Sequence, residues 1–242
     1  MEIRNGFIVS IFKYCDRWCE TCAFTSHCRL FADLARIEAA HDPAMAAVVQ
    51  APRLPQDEPP SSPGWLATVI EKLSALGEAP VTAEEDAASE PDMCATHRAI
   101  HERAGAYFEW VFRWLATRTD SRDDPTDPVS VIAWFASLNA SKIDRALSGL
   151  AEFDGDREYP PDHEGSAKVA LIGIDRSQAA WQQLVAAGRV AEHVGRTCVD
   201  ELEWLKTQLE QAIPYARAFI RPGFDEPDAV AGLESALSRL AP

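Results

Sequence analysis

The sequence predicts an all-α protein, a helical bundle of about four long helices behind a cysteine-rich N-terminal segment. Three observations carry that expectation. Apolar residues recur at helical spacing over four long stretches in the second half of the chain. Runs of Val, Ile, Thr and Tyr with period two, the mark of strands, are scarce. The connections between the long stretches are rich in Asp, Pro and Gly, which stop helices.

In chain order, residues 1–45 form the cysteine-rich segment and 46–64, AAVVQAPRLPQDEPPSSPG, a Pro-rich linker that holds little regular structure. The bundle domain then spans 65–242. It opens with a short helix over 65–76, where residues 65, 66, 69, 70, 73 and 76 are apolar and Gly77 supplies the cap. The next stretch, 78–92, is acidic and Ala-rich. The first long helix covers 93–118, with Ile100, Ala104, Tyr107, Phe108, Val111 and Leu115 on one face. A second covers 129–150, with Val129, Ile132, Ala136, Ile143, Leu147 and Leu150. The third, 166–187, opens at Ser166 and closes at Gly188; the fourth, 190–212, stops before Pro214. A last short helix is expected over 228–240.

The chain has 242 residues, 47% hydrophobic and 25% charged, an ordinary globular composition. Its net charge of -15 repels phosphates, so neither nucleic acid nor an anionic membrane is an expected partner. The apolar runs 6–12 and 169–174 are too short to span a bilayer, and no secretory cleavage pattern follows the first. The expectation is a cytoplasmic protein whose thiols stay reduced.

Cys15, Cys19, Cys22 and Cys28 fall within one short stretch, CDRWCETCAFTSHC. Thiolates are soft ligands, and four of them complete a tetrahedral zinc site or hold an iron–sulfur (4Fe-4S) cluster. Zinc knuckles usually turn on a Gly, and none lies between Cys15 and Cys28. Trp18 and Phe24, with Phe12 and Leu30 just outside, offer apolar shielding suited to a cluster. A plain metal staple pinning the segment to the bundle fits the same residues. His27 adjoins Cys28 and reads as a surface neighbour of the site. Cys94 and Cys198 stand alone, as small buried hydrophobes do.

The Cys19-x2-Cys22-x5-Cys28 portion resembles the terminal cysteine staple of some iron–sulfur-dependent nucleases and the auxiliary-cluster motifs of radical enzymes. That resemblance implies a ligand role for these three residues; no nuclease carboxylate core accompanies them. Cys15-x3-Cys19-x2-Cys22 also coincides with the radical-SAM triad, but the strands of the barrel that should follow are missing. The longer stretch YCDRWCETCAFTSHCRLF, with SKIDRAL and GSAKVALIGIDRSQAAW further on, resembles a group of uncharacterised bacterial helical proteins. It implies one continuous chain of that kind and no activity.

A second polar site is expected in the bundle. His97 and His101, one turn apart on the apolar stripe of 93–118, could converge with Asp175 and His193, joined by Glu192 and Asp200, on a metal or on carboxylate partners. The only Glu-x-x-His, Glu38/His41, lies outside the bundle and runs into Pro43. Lys142, Arg145, Lys168 and Arg176 line an anion pocket or lie on solvated helix faces. Trp110, Trp114, Trp134, Trp181 and Trp204 are read as core and helix-edge packing. No P-loop, dinucleotide fingerprint, nucleophile elbow or His-Glu-x-x-His occurs. Two functions follow as expectations: a metalloprotein with redox or catalytic use of its centre, or a non-enzymatic helical adaptor with a structural zinc. No protein partner or small-molecule ligand is named by the residues.

Overall fold

The computed structural model describes residues 2–41, 94–118, 124–153 and 162–226. The expected linker 46–64, the helix over 65–76 and the last helix over 228–240 lie outside the described residues.

A hairpin opens the chain. Ile3–Arg4 (β1) pairs antiparallel with Phe7–Ile8 (β2), in the register Ile3↔Ile8 and Arg4↔Phe7. Its two-residue turn is Asn5-Gly6, with φ of 50° and 80°. Both values are left-handed, as a turn matching the twist of a hairpin requires, and Asn-Gly meets that demand at least cost. The cysteine stretch that follows is built from single 3-10 turns at Ile11–Lys13, Cys19–Thr21 and Thr25–His27. It ends in a first helix, α1 (Arg29–His41).

Four long helices follow among the described residues: α2 (Ala95–Ala116), α3 (Pro128–Ala151), α4 (Asp162–Ala186) and α5 (Glu192–Ala212). The described residues are mostly helical, as their spacing predicts, with a fifth helix, α1, ahead of the four long ones. The stops are local. Asp127 caps α3 by accepting from Val129 N at 2.7 Å, with Pro128 in the first turn. Gly188, at φ 66°, ends α4 while Arg189 N reaches back to Leu184 O at 2.9 Å. α4 starts at Asp162 rather than Ser166. Asp162 and Glu164 place negative charge in its first turn, where the helix dipole favours it.

α2, α3, α4 and α5 each pack on two neighbours, α2 on α3 and α5, α4 on α3 and α5. Cross-helix contacts set the directions. Gly149, late in α3, meets His163 at the start of α4, whereas Asp127 before α3 pairs with Arg189 after α4. Gln178 of α4 reaches Glu203, and Lys206 reaches Asp175, so α4 and α5 also run opposite ways. Between them lies a continuous core that includes Ile100, Val111, Ile132, Ile143, Leu171, Ile174, Leu202 and Leu209. Trp181 is fully buried and donates its indole N–H to Tyr107 Oη at 2.9 Å, which satisfies the one polar atom of the largest core side chain. α3 and α4 approach most closely at Gly173, where a Cβ would stand 2.0 Å from Asn139 Oδ1 and 2.8 Å from Phe135.

The N-terminal segment and the residues after α5 close over α3 and α4. Tyr14 packs edge-on to Phe219 (4.8 Å) and rests on Gly165, where a Cβ would stand 2.3 Å from its ring. Phe24 meets Phe224 edge-on at 5.2 Å, in a small second core with Ile8 and Ile11. Lys168 and Arg221 both bond Asp225, and Lys168 also donates to the Phe219 carbonyl. Among the described residues no helix is long and apolar enough to cross a membrane.

Candidate metal centre

The cysteine loop has little regular structure, two-residue strands and single turns round the small core of Ile8, Ile11 and Phe24. It is held by side chains from α3 and α4 that reach its backbone. Trp134 Nε1 donates to Asp16 O (2.8 Å), Lys142 Nζ to Lys13 O (2.8 Å), and Arg176 Nη1 to the Asp16 carboxylate (2.6 Å). Trp18 stacks on Trp134 with centroids 5.4 Å apart and meets Phe135 edge-on at 5.8 Å. The Asp16 carboxylate also accepts from Trp18 N (3.2 Å), tying the loop's own turn.

So held, the loop curls round a concave pocket of about 300 Å³, its open mouth included. Cys15, Cys19, Cys22 and Cys28 all line it, with Ile11, Phe12, Trp18, Phe24, Phe31 and Phe224 as its apolar wall. All four cysteines are free thiols. Phe24 N–H donates to Cys22 Sγ at 3.4 Å, and the Cys15 thiol donates to the Phe12 carbonyl at 3.5 Å. Backbone N–H groups aimed at sulfur stabilise the thiolate form and tune thiolate-bound metals. Among the described residues, no three His, Cys, Asp or Glu side chains are gathered round one point closely enough to hold a single metal ion.

Burial pushes the Cys15, Cys19 and Cys22 thiols up, and the sulfurs raise one another further. Cys19 reaches about 11, through burial first and then its neighbours Cys15, Cys28 and Cys22. The physical meaning is crowding: negative charge on one sulfur opposes it on the next. A cation bound among them would remove that opposition, and its binding would release protons. Four neighbouring thiols are soft donors by their chemistry, although no three of them stand close enough round one point for a single ion. His27 is turned elsewhere, with Nδ1 donating to Gly6 O at 3.0 Å.

The second polar site does not assemble. His101 pairs with Asp144 of α3 at 3.1 Å, and both are half-exposed. Asp175 is held by Arg217 (2.7 Å) and Lys206 (3.8 Å), and His193 is exposed in the first turn of α5. His97 is only half-buried. The reason is a rotation of the apolar stripe. The buried set on α2 is Ile100, Ala104, Tyr107, Val111 and Leu115, which leaves His97 and His101 at its edge. Nor do the four cations share one anion pocket. Arg145 bonds Asp162, Lys168 bonds Asp225, Arg176 bonds Asp16, and only Lys142 faces the loop without a carboxylate. Arg176 and Asp175 diverge because successive helical residues point about 100° apart.

Cys198 is buried and its thiol is pushed up to about 12 by burial and then by Glu201, an inert arrangement; Cys94 is exposed. Asp16 is the anchor that reading the sequence missed. A lone carboxylate between two candidate ligands carries no periodic signal, and its partners Trp134 and Arg176 lie more than a hundred residues away. No family model matches the chain, and no curated protein and no solved structure is significantly similar to it.

Proposed function

We propose that the four-cysteine pocket is a metal–thiolate centre, an iron–sulfur cluster in preference to a single zinc, carried by a cytoplasmic four-helix scaffold and used for electron transfer or redox chemistry. The observation that carries this reading is that four thiols line one pocket, together with Asp16 and an apolar wall. Among the described residues no three of these side chains are gathered closely enough to hold a single ion. A tetrahedral zinc holds sulfurs at about 2.3 Å, and hence about 4 Å from one another. To grip one, this loop would have to tighten. A cubane spreads its thiolates across wider corners, and its potential depends on the apolar shielding and N–H···S bonding found at this pocket.

The competing reading, a structural zinc staple in a non-enzymatic adaptor, draws on the ties from Trp134, Lys142 and Arg176, which already fasten the loop to the helices. Anaerobic purification with iron, zinc and acid-labile sulfide determination separates the two. Iron and sulfide in near-equal amounts, with a broad absorption near 400 nm that is lost in Cys22→Ser, support the cluster. One zinc per chain and no colour supports the staple.

A further inference from the structure

Lys142 is only 7% exposed, yet among the described residues no carboxylate lies within ion-pair distance of it. Its ammonium has three N–H donors, and the one hydrogen bond it makes goes to the Lys13 carbonyl, two residues before Cys15. A buried cation without a counter-charge is unfavourable by several kcal/mol, and burial followed by the charges of Arg17 and Arg145 lowers the Lys142 pKa. Cys15, and after it Asp162, act on the ammonium in the opposite sense.

Arg17 is a second cation at the same pocket. It lines the pocket beside all four cysteines and makes no ion pair among the described residues, although the chain carries a net charge of -15. Its φ of 58° is left-handed, uncommon for a residue with a Cβ. Two cations with no ion pair among the described residues thus stand at the cysteine loop, where Asp16 is the carboxylate that lines the pocket and is already bonded by Arg176.

We infer that Lys142 and Arg17 are the counter-cations of an anionic metal–thiolate centre at the cysteine pocket, positioned to raise its reduction potential. This rests on the metal-centre reading above. Four thiolates around a cluster or an ion leave a net negative charge, and a further electron adds to it. Fixed positive charge stabilises the reduced form more than the oxidised one, most strongly from the buried Lys142.

The test compares wild type, Arg17→Gln, Arg17→Lys and Lys142→Gln, each purified anaerobically and assayed for bound metal and sulfide. The cluster's one-electron midpoint is then titrated with dithionite as the reductant. Lys142 is buried and its variant can fail to fold, whereas Arg17 is exposed, so the Arg17 pair keeps the inference open to refutation. At equal iron content, Arg17→Gln and a folded Lys142→Gln are expected to make reduction about tenfold less favourable, 59 mV for one electron. Arg17→Lys should match wild type. Unchanged midpoints in both charge deletions would overturn the counter-cation role while leaving the cluster intact.

Zinc in place of iron would overturn the iron–sulfur reading and, because zinc undergoes no redox change, the effect on potential; the pairing of the cations with the thiolate charge is then read from a chelator competition. There the charge deletions should release zinc at about tenfold lower chelator, and equal retention refutes the role. A wild-type chain that takes up neither iron with sulfide nor zinc would refute both readings together.

Discussion

Trp134 of α3 donates its indole N–H to the backbone oxygen of Asp16, 2.8 Å away and 118 residues earlier in the chain. The same indole stacks on Trp18. One side chain therefore fixes both the height and the tilt of the loop that carries the four cysteines. The bundle is thus the template on which the pocket takes its shape.

Replacing Trp134 with Phe keeps an aromatic face but leaves the Asp16 carbonyl without its donor. A loss of about 1–2 kcal/mol is expected, one hydrogen bond plus part of the stacking. Because the loss falls on the loop, metal release to a chelator should quicken by more than the global urea midpoint falls. Equal effects on both would place the residue in the general core instead.

The close approaches at glycine separate loop docking from bundle stability. Gly165→Ala puts a methyl against Tyr14 and Phe219 (2.3 Å and 2.9 Å), so it should displace the N-terminal segment while α2–α5 stay folded. Gly173→Ala puts one against Asn139 and Phe135 inside the α3–α4 contact, so it should destabilise the whole unit by about 1–3 kcal/mol or more. Limited proteolysis near residue 15 should increase sharply in the first variant, with far-UV circular dichroism preserved. In the second, thermal unfolding should shift as a whole.

Asp225 makes a pH prediction. Burial opposes its ionisation, but hydrogen bonds from Arg221 and Lys168 outweigh it and hold the carboxyl well below its usual range. A depressed carboxylate contributes stability that is complete above the unfolded value of about 3.9 and fades as pH falls through the folded one. Stability from this contact should be flat from about pH 5 to 8 and decline below about pH 4. Asp225→Asn should be weaker than wild type by about 2 kcal/mol at pH 7 and lose less on acidification. Urea midpoints at pH 7 and pH 3 measure both differences. A variant with an undiminished acid decline would assign that decline to other carboxylates.

Asn139 is 2% exposed, and neither its amide nitrogen nor its oxygen has a partner among the described residues. An unsatisfied buried amide costs about 1–3 kcal/mol. Asn139→Leu, similar in volume, should raise the thermal midpoint. A lowered midpoint would show that the amide is satisfied in solution.

The long helices were legible because their cause is local: each carries its apolar spacing and its own stop, and Asp127-Pro128 and Gly188 mark boundaries to within a residue or two. The Asn5-Gly6 hairpin was equally local and went unread, since its strands are only two residues long and show no alternation. The cysteines were visible as a cluster because their chemistry is independent of fold. What the sequence by itself determined is therefore the helical class, most helix limits and the four thiols as one group. Only the tertiary structure decided which charges face those thiols, that His97 and His101 lie at the edge of the stripe, and that Asp16, Trp134 and Arg176 meet. Such pairings join elements more than a hundred residues apart, and they depend on helix rotation and approach, which are fixed by packing across the whole core rather than by any one segment.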